Sequence, residues 1–149
     1  MKLEKEIKQS SFESEYQKLT VNLLYTFFWI KERNSKILKP YGITLQQYNV
    51  LRILRGQHPK GITTSDIRSR MLDKMSDTSR LVDRLTTNGL VEKKVNPEDR
   101  RLVVVKISDK GLNILNKIDI EQGAIENIAE KFNEEDVKFV NDFLDNLRS

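Results

Sequence analysis

The sequence predicts a mainly α-helical protein carrying one small β-hairpin. Three observations set that class. Apolar residues recur at spacings of three and four over most of the chain. The period changes to two in one place only, around residues 90–107. Between the two β-rich runs there, Asn96-Pro97-Glu98-Asp99-Arg100 has the composition of a hairpin turn. At 149 residues the chain has the length of about one domain, and it can bury a core without a disulfide or metal staple.

Residues 12–39 read as the first helix. Tyr16, Leu19, Leu23, Phe27 and Ile30 follow helical spacing, and Val21, Leu24 and Phe28 form a second stripe beside them. Apolar surface this wide needs cover from two sides, its own domain on one and a second subunit on the other. Pro40 and Gly42 stop the helix. Thr44 with Gln47 forms a capping box that opens a helix through about Gly56, with Tyr48, Leu51 and Leu54 inward. Residues 57–61 then read as a loop.

Thr63 with Asp66 opens a short helix carrying Ile67 and Met71. Asp73 or Ser76 can cap the next one, expected over about 75–88, with Leu81, Val82 and Leu85 inward and Gly89 as its stop. Residues 90–95 and 101–107 are the two strands, the second placing Val103, Val105 and Ile107 on one face. A lone hairpin is marginal, so it must pack on the helices. Ser108 caps a helix whose seam is Leu115, Ile118, Gln122, Ile125, Ala129 and Phe132. Asn133 with Asp136 begins a last helix with Val137, Val140, Leu144 and Leu147 as a second seam. There is no internal repeat.

Composition excludes several classes. Hydrophobic residues are 38% and charged residues 32%, too apolar for a disordered chain. With no Cys there is no disulfide scaffold, zinc ribbon or thiol sensor. His58 is the only His, so neither a catalytic triad nor a His-based metal site has partners. The expectation is no enzyme, no metal and no cofactor. The most apolar stretch, residues 19–30, is too short to span a membrane. The acidic leader (Glu4, Glu6, Glu13, Glu15) is unlike a signal peptide. A soluble, cytoplasmic protein is expected.

The net charge of +4 is unevenly spread. Residues 52–106 hold thirteen Lys/Arg against seven Asp/Glu, and residues 108–149 hold five against ten. A basic centre before an acidic helical tail suggests a middle segment that faces a polyanion. Two short helices joined tightly, then a basic hairpin, describe a winged helix-turn-helix, whose second helix enters the DNA major groove by its N-terminal part. Here that part carries Ser76, Ser79, Arg80 and Arg84 outward. Small hydroxyls permit close approach, and Arg can bond guanine O6 and N7 bidentately. Asp77 either accepts from cytosine N4 or favours the helix N-terminus.

These residues resemble the MarR family of bacterial transcriptional regulators. The resemblance rests on Ser79-Arg80-Leu81-Val82-Asp83-Arg84-Leu85, on Asn88-Gly89-Leu90-Val91, and on the hairpin from Asn96-Pro97-Glu98-Asp99-Arg100-Arg101 to Lys106-Ile107-Ser108-Asp109-Lys110-Gly111. It covers about residues 15–149. It implies a homodimer built by the first and last helices (12–39 and 109–149) around a winged lobe (44–108), binding a pseudo-palindromic operator. It implies also that Arg101 enters the minor groove, braced by Asp99. A narrow A·T-rich groove attracts Arg for electrostatic reasons. Arg100, Lys93 and Lys94 suit phosphate, although the two Lys equally suit a solvated strand. Asn96 and Ser108 replace the family's usual Asp and Thr and keep the same turn and cap chemistry.

The resemblance places any effector where the dimer helices meet the winged lobe. Tyr25, Phe28, Trp29, Arg33 and Tyr48 would line it, a set suited to a small aromatic carboxylate or phenol, or else to dimer core. The rival to DNA binding is a dimeric winged-helix module that binds proteins alone.

Overall fold

A computed structural model describes residues 2–96, 99, 101–122, 125 and 127–149. In chain order the elements are a short turn of helix α1 (Leu3–Glu6), the long α2 (Glu15–Leu38) and a 3-10 turn (Lys39–Tyr41). There follow α3 (Leu45–Arg55), strand β1 (Ile62–Thr63), α4 (Thr64–Arg70) and α5 (Thr78–Thr87). The hairpin β2 (Val91–Val95) and β3 (Val103–Ile107) leads to α6 (Asp109–Gln122) and α7 (Glu134–Leu147).

Local sequence explains most of the boundaries. Ser14 caps α2 by accepting from Gln17 N, so the helix starts at Glu15, three residues later than predicted. The Thr44–Gln47 and Thr63–Asp66 boxes form as expected. Ser108 Oγ accepts from Gly111 N at 3.1 Å and donates to the Gly89 carbonyl at 2.7 Å. Asn133 accepts from Asp136 N at 2.8 Å. Gly89 sits at φ 70°, where a side chain would be strained. There Gly89 N donates to Thr86 O and Leu90 N to Leu85 O, the paired bonds that close a helix with a left-handed residue.

The core lies between α3, α5, the sheet and the first half of α6. Val50, Leu51 and Leu54 meet Ile67, Val82, Leu85, Val105, Leu115 and Ile118 there, all essentially without solvent exposure.

Two expectations need correction, the start of α5 and the end of α6, and two features go beyond what was expected. The wing is three-stranded, in the order β1-β3-β2 and all antiparallel, because Ile62 pairs with Val105. A two-residue strand has no period to detect. The cap of α5 is Asp77, which accepts from Arg80 N at 3.1 Å, so the helix starts at Thr78 and not near Met75. Asp73 is used within the preceding turn, accepting from Met75 N. The helix predicted through Phe132 ends at Gln122, and residues 128–131 form turns. Gly123 follows in the sequence, a residue type about 1 kcal/mol worse than Ala inside a helix. Finally, α7 buries none of its residues: Phe139, Val140, Phe143 and Leu147 are exposed, as are Leu24, Phe27, Phe28 and Trp29 on α2.

Candidate nucleic-acid interface

The α5 helix is anchored on one side and free on the other. Val82 and Leu85 are fully buried, and the helix packs on α3, α4 and β2. Ser79, Arg80 and Arg84 lie on its exposed side. Among the described residues neither Arg80 nor Arg84 has a carboxylate within ion-pair distance. Both guanidiniums are therefore available to an anion. Ser76, expected outward with them, is half-buried and precedes the helix. The Asp77 carboxylate is committed to the helix N-terminus, where it satisfies one of the orphan amides.

The turn from α4 into α5 is fastened to α3. Leu72 N donates to Asn49 Oδ1 at 3.0 Å, and Gln46 Nε2 donates to Asp73 Oδ2 at 3.4 Å. The Met75 amide and the Gln46 side chain hold the Asp73 carboxyl below its ordinary range. A cleft of about 460 Å³ opens between the starts of α4 and α5, its walls including Thr64, Ser65, Arg68, Met75, Thr78 and Ser79. Sequence reading passed over Thr64, Ser65 and Arg68. The Thr63 cap fixes the phase of α4, and that phase with Ile67 inward would have found Arg68 on the exposed side.

The wing adds a second basic element. Lys93 Nζ pairs with Asp83 Oδ1, tying β2 to α5, and Lys94 Nζ is 3.4 Å from Glu92 Oε2. Asp99, expected to brace the Arg101 side chain, accepts instead from the Arg101 backbone N–H, at 3.0 Å to its Oδ1. Leu102 N donates to Asp99 O, and Asn96 N to Leu102 O. The carboxylate thus shapes the connection between β2 and β3, and the Arg101 side chain is exposed. Arg100, like Pro97 and Glu98, lies outside the described residues.

The five residues considered for an effector are in different settings. Tyr48 is 4% exposed and belongs to the core, with the Arg52 guanidinium 6.0 Å from its ring centre. Tyr25 donates to Glu6 Oε2 at 2.8 Å, which raises its phenol pKa. Arg33 donates to Asn34 Oδ1 and to the Ile125 carbonyl. Phe28 and Trp29 face outward, and Phe28 packs edge-on against Phe27. No helix among the described residues is long and apolar enough to cross a membrane.

A core-anchored helix with exposed guanidiniums, a fastened turn before it and a three-stranded basic wing beside it define a winged helix-turn-helix DNA-binding protein. A sequence profile of the MarR family matches residues 41–102. The solved structure of a MarR transcription factor from Planctomyces limnophilus is 31% identical to this chain. The match covers 92% of this chain and 95% of that one, with a TM-score of 0.65. The regulator MhqR of Bacillus subtilis is 26% identical over 130 residues, 85% of this chain and 87% of MhqR. A mutant MarR from E. coli complexed with operator DNA is 24% identical. There the match covers 93% of this chain and 99% of that one, with a TM-score of 0.73. The chain belongs to the MarR family of transcriptional regulators. That family regulates transcription and does not comprise enzymes.

Proposed function

We propose that the protein is a homodimeric repressor that binds a two-fold-symmetric operator, with α5 in the major groove and the wing in the flanking minor groove. The observation that carries this reading is the exposed pair Arg80 and Arg84, without an ion-pair partner among the described residues, on a helix whose opposite face is locked into the core. Ser79 and Arg80 in the first turn face base edges, Arg84 and Lys93 lie nearer phosphate, and Arg101 enters the minor groove. Arg100 and Ser76 are proposed as flanking contacts to the same DNA.

The uncovered apolar faces of α2 and α7 support the second subunit. Four large side chains on each, Leu24, Phe27, Phe28 and Trp29 with Phe139, Val140, Phe143 and Leu147, are at least two-fifths exposed. Apolar patches of this kind are rare on monomers. In the dimer the helical segments 12–39 and 109–149 hold the two winged lobes (44–108) apart, which sets the half-sites about one helical turn, roughly 10 bp, from each other. A small aromatic carboxylate reaching Phe28, Trp29 and Arg33 would act by favouring one lobe spacing over another.

The test is selection of bound duplexes from a random pool, followed by titration at two salt concentrations and sedimentation of the free protein. Recovery of a palindrome, a log K that falls by about 0.9 per log unit of salt for each phosphate neutralised, and a dimer are expected. A dimer that enriches no duplex, even after unfolding and refolding to strip ligand, would favour the protein-binding module instead. Trp29 emission that stays flat across a panel of phenolic acids, with operator affinity unchanged, would remove the effector.

A further inference from the structure

The turn between α4 and α5 displays two large apolar side chains: Leu72 is 87% exposed and Met75 93%. A single exposed Leu or Met needs no explanation, but here the backbone beneath the pair is held. Leu72 N is bonded to Asn49, Met75 N donates to Asp73 Oδ1 at 3.0 Å, and Lys74 Nζ donates to the Ser69 carbonyl at 2.7 Å. Met71, one residue earlier, is buried in the core. The fastened turn therefore presents Leu72 and Met75 outward and keeps them from folding back.

Their place on the surface narrows what they meet. Met75 stands two residues ahead of the Asp77 cap and lines the cleft that Arg68 and Ser79 share. A helix that enters the major groove by its N-terminus brings the residues just before its cap over the base edges next to those reached by its first turn. The major-groove edges carry one apolar group, the 5-methyl of thymine. A thioether is flexible and polarizable enough to close on it. Neither phosphate nor the polar base edges offer Met75 anything that water does not.

We propose that Met75 is a specificity-determining residue that reads the 5-methyl group of one thymine in each half-site, with Leu72 as the adjoining apolar surface. This rests on the DNA-binding reading of α5 and extends it to a base.

The experiment uses the full chain and the operator recovered from the random pool. Each thymine is replaced in turn by deoxyuridine, which removes the methyl and keeps the pairing. Affinities are measured by fluorescence anisotropy at one salt concentration for the unaltered protein, Met75→Ala and Leu72→Ala. One thymine per half-site should show a loss of about fourfold with the unaltered protein, the equivalent of one buried methyl at ~0.8 kcal/mol. Met75→Ala should bind the two duplexes within about 1.5-fold of each other at that position. Both side chains are solvent-exposed, so matching thermal unfolding of the variants is expected and removes misfolding as an explanation.

Loss of thymine sensitivity in Leu72→Ala but not in Met75→Ala would overturn the assignment. So would a recognised half-site without a sensitive thymine, the result expected if the pair instead contacts another protein. A pool that enriches no duplex, even with protein unfolded and refolded to strip ligand, would refute the DNA-binding reading itself, and this proposal with it.

Discussion

Arg55 on α3 and Asp119 on α6 are 64 residues apart in the chain, and Arg55 Nη1 donates to Asp119 Oδ2 at 2.6 Å. Arg52 Nη1, one turn earlier on α3, lies 4.0 Å from the other carboxylate oxygen. The pair joins the winged lobe to the helix that leads into the acidic C-terminal region. Both side chains are a quarter to a third exposed, so the bond should be worth more than a surface ion pair and less than a buried one. A double-mutant cycle of Arg55→Ala and Asp119→Ala, read by urea unfolding, should give a coupling of about 1 kcal/mol. A coupling within error of zero would mean that Arg52 takes over the carboxylate.

Asp77 caps α5, so Asp77→Ala should cost about 1 kcal/mol of stability and Asp77→Ser a few tenths at most. Operator affinity separates this role from base reading. If Asp77 only caps, Asp77→Ser removes a negative charge near phosphates and binding holds or tightens. A selective loss at one C·G pair would instead show that it accepts from cytosine N4.

Gly111, in the first turn of α6, is where that helix touches the sheet. A Cβ there would overlap the Leu90 carbonyl oxygen and lie 2.8 Å from Ile107 Cγ1. Because the first obstacle is backbone, Gly111→Ala should destabilise by about 1–3 kcal/mol, despite the better helix propensity of Ala. A thermal midpoint equal to that of the unaltered protein would contradict the packing.

Two carboxylates make stability fall in acid. The Thr63 hydroxyl, then the Thr63 amide, lower the pKa of Asp66, and the Met75 amide, then Gln46, lower that of Asp73. A depressed folded pKa means the stabilisation is complete above the unfolded value, about 3.9 for Asp, and is lost as pH falls through the folded one. Urea midpoints should thus decline below about pH 4. Asp66→Asn, which cannot titrate, should lower stability at neutral pH and approach the unaltered protein as acid is added. A constant gap between the two curves would disprove the linkage.

Lys93 and Arg84 should differ in their effect on DNA binding. Arg84 has no acidic partner among the described residues, whereas Lys93 is paired with Asp83. Arg84→Ala should reduce the slope of log K against log salt by about one contact. Lys93→Ala should reduce it by less, because Asp83 already neutralises part of its charge. Arg101→Ala should cost about 1–3 kcal/mol through the lost groove contact. Equal slopes for Arg84→Ala and Lys93→Ala would show that the Lys93–Asp83 pair opens on DNA.

The helices were legible because their signals are local. Thr44 and Gln47, Thr63 and Asp66, and Asn133 and Asp136 each cap within one turn, and the inward stripes of α3 and α5 follow from spacing alone. The second seam, on α7, was legible as a pattern while its partner surface was not. Its apolar residues face outward in the single chain, since periodicity records that a face is apolar and not what covers it.

The start of α5 was misread for a related reason. Asp73, Ser76 and Asp77 all suit a cap, and only the tertiary bonds of the turn choose among them. Asn49 and Gln46 on α3 hold Leu72 and Asp73 in the turn, which leaves Asp77 to meet Arg80 N. The same holds for Asp99. Its nearness to Arg101 is evident in the sequence, but its bond to the backbone amide rather than the guanidinium depends on how the wing closes.

By itself, then, the sequence determined the class of this protein: helical period, one switch to period two, the capping pairs, the turn chemistry of the wing and a basic middle. Each of these is written within a few residues, where spacing and side-chain type fix the backbone. The tertiary structure alone decided the third strand pairing Ile62 with Val105, the tie of Lys93 to Asp83, the bond of Arg55 to Asp119, and which of three groups caps α5. Those contacts join segments or choose among local options of similar energy. They exist only once the core around Leu51, Leu54 and Leu85 has brought their partners together.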